Sequence, residues 1–145
     1  RRQRQMCIRD RFSTPGRDPR RWVITCAYLA LVEKSEITVK AGDDAKAAEW
    51  FSVKLEQLPD ASGPGEKAGN RRKEELQQVH RWGLELCGKQ ETIRIPFRSE
   101  RLSGQLEPRL YLETEENGLA FDHGLILAYA AMRISRAAHE GLAVV

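Results

Sequence analysis

Residues 22–32, "WVITCAYLALV", constrain the fold more than any other stretch, because eleven residues without a charge are dominated by β-branched and aromatic side chains. Such a run has the composition of a strand, and it is too apolar for a strand with one wet face. It therefore predicts a central strand. Turn formers stand directly before it, with Pro15-Gly16 and Asp18-Pro19 punctuating a loop that also carries Arg17, Arg20 and Arg21.

Further strand signals follow. "EITVK" at 36–40 alternates with period two and is short, which suits an edge or hairpin strand; "AGDDA" makes a turn, and "AAEWFSV" at 47–53 reads as another strand. Residues 60–73, "DASGPGEKAGNRRK", hold three Gly, a Pro and mixed charges with no apolar anchor, and predict a mobile loop. "KEELQQVHRW" suits a short helical segment. Trp82, Leu84 and Leu86 then alternate, "CGKQE" supplies a turn, and Ile93, Ile95 and Phe97 alternate back as a β-hairpin. Leu110 and Leu112 repeat the alternation before "EENG".

The clearest helix comes last. Asp122 suits the N-cap, where its carboxylate can accept a first-turn amide, and His123, Ile126, Leu127, Ala130, Ala131, Ile134, Ala137 and Ala138 share one face of the wheel. Strands followed by a helix against them predict an α+β domain with a mixed sheet.

Length and composition bound the function. The chain has 145 residues, enough for one domain, and no stretch reaches the roughly 18 apolar residues of a membrane span. A soluble cytoplasmic protein without a membrane partner is expected. Cys7, Cys26 and Cys87 are odd in number and far apart, which suggests neither a disulfide framework nor a zinc site.

The net charge of +3 divides unevenly. Residues 1–21 hold eight Arg against Asp10 and Asp18, while residues 22–145 hold 16 basic and 19 acidic residues. A basic arm is not a basic folded face, so nucleic acid is not the expected partner. The arm itself, "RRQRQMCIRDR", lacks periodicity and turn chemistry. Residues 1–11 read as a non-native-looking or disordered prefix, and residues 12–140 as the domain.

Three motifs in order, "TPGRDPRRWVITCAYLALV", "AGDDAKAAEWFSV" and "LAFDHGLILAYAAMR", resemble the later half of Nudix hydrolases, in particular ADP-ribose pyrophosphatases and their nucleotide-sensing regulator relatives. They cover about a third of the chain. The resemblance implies a Nudix-like mixed sheet packed with helices, incomplete at its N-terminus, whose parent hydrolyses the diphosphate of ADP-ribose or a related nucleoside diphosphate derivative using Mg²⁺. It implies a nucleotide derivative as partner and a homodimer as an assembly. Of the substrate-binding residues it implies, Arg17, Asp18 and Arg20 match the loop before the strand, and Asp122 and His123 match the F-D-H step. Guanidinium groups suit phosphate because they are permanently charged and bind it bidentately.

The family's metal-binding signature is G-x5-E-x7-R-E-U-x-E-E-x-G-U with U aliphatic. Only "EENGL" at 115–119 matches its tail. The positions that require Gly, Glu, Arg and Glu hold Phe97, Ser103, Tyr111 and Leu112. No catalytic residue or metal ligand is therefore assigned, and this chain is expected to be inactive. The alternative is a non-catalytic nucleotide-binding or regulatory Nudix-like module.

Overall fold

A computed structural model describes residues 8–16, 18, 20–42, 47–59, 76–114 and 118–139, with the side chains of 8–10, 76, 77 and 139 left aside. The hairpin legible in the sequence is its backbone. Strands β4 (Leu76–Cys87) and β5 (Thr92–Leu102) pair antiparallel, and the Gly88 N–H donates to the Glu91 carbonyl at 2.9 Å to close the turn. Strand β3 (Ser52–Leu58) adds to β4 and β6 (Arg109–Leu112) to β5, giving a four-stranded antiparallel sheet in the order β3-β4-β5-β6. Helix α1 (His123–His139) packs on one face.

Period two explains which face. Leu84 and Leu86 of β4, Ile95 and Phe97 of β5 and Leu110 of β6 are buried against Ala128 and Ala131 of α1. The opposite face carries Glu85 paired with Arg94 at 2.8 Å and Arg98 paired with Glu100 at 2.8 Å. One dry face and one charged face are what an antiparallel sheet covered on a single side requires. The sheet is antiparallel throughout.

Pro96 lies within β5, a strand flanked on both sides. A strand residue's N–H and C=O face the same neighbour; the Pro96 carbonyl accepts from the Glu113 N–H at 3.0 Å, just past the end of β6. Its missing donor therefore falls where the β6 ladder has stopped.

Three of the strand expectations are corrected. Residues 22–32 do not form a central strand: only β2 (Thr25–Leu29) is regular, and it pairs with β1 (Ile8–Phe12) in a separate two-stranded ribbon. Trp22 is 68% exposed and Tyr28 66%, since no second layer among the described residues covers that side. "EITVK" forms no strand; a 3-10 turn at Lys34–Glu36 takes in its first residue, and no neighbour pairs with the rest among the described residues. The strand expected at 47–53 begins at Ser52 and runs on to Leu58.

Two further differences have tertiary causes. "KEELQQVHRW" enters β4 from Leu76 onward, because β5 supplies hydrogen bonds from Leu76 and β3 joins from Arg81, outweighing a local preference for helix. Strand β1 takes in residues 8–11, which the sequence had assigned to the arm. The loop expected at 60–73 lies outside the described residues.

The helix begins where Asp122 predicts, its carbonyl accepting from Leu125 N–H at 2.9 Å and Ile126 N–H at 3.1 Å. Its inner line is rotated in part from the expected wheel: Ala131 and Ala137 are buried and Leu127 packs on the core as expected, Ala128 and Met132 join them, whereas Ile126, Ala130 and Ile134 are half-buried and Ala138 is exposed. The Leu110 N–H donates to the Tyr129 hydroxyl at 3.1 Å, tying α1 to β6. The Phe12 ring meets Tyr129 edge-on at 5.6 Å, which joins the ribbon to the helix. Among the described residues no helix is long and apolar enough to cross a membrane.

Candidate functional site

The loop before β2 is held by its own residues. Gly16 takes φ 83°, the left-handed conformation that a Pro-Gly turn of type II demands at its second central position. Asp18 is only 8% exposed. One of its carboxylate oxygens accepts from the Arg20 backbone N–H at 2.9 Å and from Arg20 Nε at 3.0 Å, and the other accepts from Nη2 at 2.8 Å. These bonds, with the charge of Asp18, raise the Arg20 pKa further above its ordinary value. Asp18 thus orients Arg20.

Arg20 reaches across to the start of α1. Its guanidinium lies 5.2 Å from the centroid of the Phe121 ring, within cation–π range. Phe121 is 48% exposed and adopts φ 51°, a conformation rare for a bulky residue and costing about 1–3 kcal/mol. His123 stands edge-on to the same ring at 6.4 Å. It is exposed, which corrects its expected place on the apolar face of the helix. Asp18, Arg20, Asp122 and His123 therefore gather at one corner of the molecule. Arg17 lies outside the described residues.

Beside this corner opens a cleft of about 590 Å³ between β1, β6 and the first turns of α1. Arg11, Phe12, Arg109, Tyr111, Asp122 and Tyr129 are among its lining residues. Neither Arg11 nor Arg109 forms an ion pair among the described residues, and Asp122 is the one carboxylate among the described residues of the lining. Of the residues expected to bind substrate, Asp122 lines the cleft, whereas Asp18, Arg20 and His123 stand outside it.

No motif in the sequence marks Arg11, Arg109, Tyr111 or Tyr129. Arg11 lay in the discounted arm, and Arg109 and Tyr111 read only as the polar phase of a short strand. Their meeting depends on β1 arriving beside β6, and no local pattern announces that.

The cleft does not suit a resident Mg²⁺. That ion takes oxygen ligands in near-octahedral array, and among the described residues no group of three His, Cys, Asp or Glu side chains comes together. No protein-family model, curated protein or solved structure matches the chain. Function must be argued from these side chains.

Proposed function

We propose that the cleft binds ADP-ribose or a related nucleoside diphosphate derivative without hydrolysing it, as part of a Nudix-like domain. What supports this reading is that two arginines, Arg11 and Arg109, and the aromatic residues Phe12, Tyr111 and Tyr129 are all among the lining residues of one cleft. Guanidinium groups hold a diphosphate through charge-assisted hydrogen bonds, and aromatic faces accept a planar base. A volume of about 590 Å³ lies within the range of small-molecule sites.

The residues divide the work. Arg109 on β6 and Arg11 on β1 would share the diphosphate, and Asp122 would accept from a ribose hydroxyl. Arg20, fixed by Asp18 and set over Phe121, stands outside the cleft beside the start of α1. The complete signature does not occur in the 145 residues, so turnover is not part of the reading. A homodimer belongs to it as an assembly.

Calorimetric titration with ADP-ribose, with and without Mg²⁺, tests the proposal. Saturable binding that weakens about tenfold or more in Arg109→Ala is expected, one lost charge-assisted contact being worth roughly 1.5–3 kcal/mol. Chromatography of the incubated mixture should show ADP-ribose unchanged. Absence of heat, or equal affinity in the variant, overturns the reading. Tighter binding of RNA with a steep salt dependence would instead favour a nucleic-acid partner.

A further inference from the structure

A second cleft, of about 380 Å³, opens at the other end of the covered face of the sheet, under the C-terminal half of α1. Period two places it. The inward row of β4 runs from Leu86 and Leu84 through Trp82 to His80, and the inward row of β5 from Ile95 and Phe97 to Ser99 and Arg101. The core thus changes from aliphatic to polar as it approaches this end, and Met132 and Arg136 of α1 line the opening from above.

The floor is built rather than incidental. Ser99 is only 4% exposed, and its hydroxyl accepts from Trp82 Nε1 at 2.9 Å, which fixes the plane of the indole. His80 meets Trp82 edge-on at 6.5 Å, and its Nδ1 lies 3.2 Å from the Gln57 side-chain nitrogen.

Charge at the opening is unbalanced. Arg101 forms no ion pair among the described residues. Arg136 approaches Glu107 only at 3.7 Å, and Arg133 holds the same carboxylate at 3.2 Å. No carboxylate is among the described residues that line this cleft.

We propose that this cleft binds a small organic anion consisting of an aromatic ring that bears a carboxylate or a phosphate. The ring packs against Trp82 and Met132, while Arg101 and Arg136 bind the anionic head. Fixing of the indole by Ser99 before binding lowers the ordering cost of the complex. The site shares no residue with the first cleft, so it does not depend on the nucleotide reading.

Proton–nitrogen NMR of the full chain tests it, because each of the three tryptophans contributes one indole N–H signal. Phenyl phosphate and benzoate serve as probes, with benzyl alcohol as the neutral control. A saturable shift of the Trp82 indole, with those of Trp22 and Trp50 unmoved, is expected from at least one anion. Tighter binding of phenyl phosphate identifies a phosphate head, and tighter binding of benzoate a carboxylate head. Arg101→Gln and Arg136→Gln should each weaken the preferred anion about tenfold, as loss of one charge-assisted contact implies. The same spectra report whether each variant remains folded. No saturable shift from either anion, an equal shift from benzyl alcohol, or unchanged affinity in both folded variants overturns the proposal.

Discussion

Glu113, one residue past β6, has both carboxylate oxygens engaged by Arg81 of β4, at 2.6 Å from Nε and 2.7 Å from Nη2. Arg81 also donates to the Pro59 carbonyl at 3.3 Å, so one guanidinium ties together the ends of β3 and β6. The hydrogen bonds from Arg81 hold the Glu113 carboxyl below its ordinary pKa, overcoming the opposing effect of burial, and the charges of Arg81 and Arg98 add to the shift. A carboxyl with a lowered folded-state pKa stabilises the fold above its unfolded pKa, and that contribution is lost as pH falls through the folded value. Urea denaturation across the acidic range should therefore show the native protein losing stability more steeply than Glu113→Gln. Parallel profiles for the two proteins would count against the pairing.

At the scale of the element, the β4–β5 turn is a close approach. A Cβ placed on Gly88 would lie 2.6 Å from Glu49 Oε1 and 2.7 Å from Phe51 Cε1. Glu49 can swing away, although its other oxygen accepts from the Lys89 N–H at 3.2 Å. Phe51 is half-buried against the core and has less room. Gly88→Ala should thus destabilise by about 1–3 kcal/mol, the usual cost of overpacking, which the denaturation midpoint would reveal. A midpoint equal to that of the native chain would mean that the segment before β3 yields freely. Gly83 makes a contrast, since its nearest neighbour is the Leu58 side chain at 3.3 Å, a flexible group.

For the whole molecule, the unevenness of burial matters. The sheet and α1 enclose one core, whereas Tyr28 of the ribbon and Trp22 and Ile24 just before β2 stay exposed. Cys26 is exposed among them, and the stretch from 22 to 32 carries no charge to discourage association. Exposed apolar groups of this extent favour contact with another surface. Sedimentation velocity in reducing buffer should show a sedimentation coefficient that rises with concentration, and replacing Trp22 and Tyr28 together by Ser should flatten that rise. A coefficient independent of concentration in the native chain would rule out self-association.

Residue order alone determined the parts whose signals are short-range. The hairpin around Gly88 followed from two alternating rows and a turn, and the start of α1 followed from Asp122 standing before a periodic apolar stretch. Strand β6 was equally plain from Leu110 and Leu112. Tertiary structure decided which strands are neighbours. The most apolar run became half of an exposed ribbon, while Leu76–Arg81, rich in helix formers, was drawn into the longest strand. Periodicity is fixed by bonds between nearby residues, but the choice of partner depends on burial summed over the whole chain. For the same reason Asp18 and Asp122 stood out in the sequence, whereas Arg11, Arg109 and Tyr129 became one lining only when β1, β6 and α1 met.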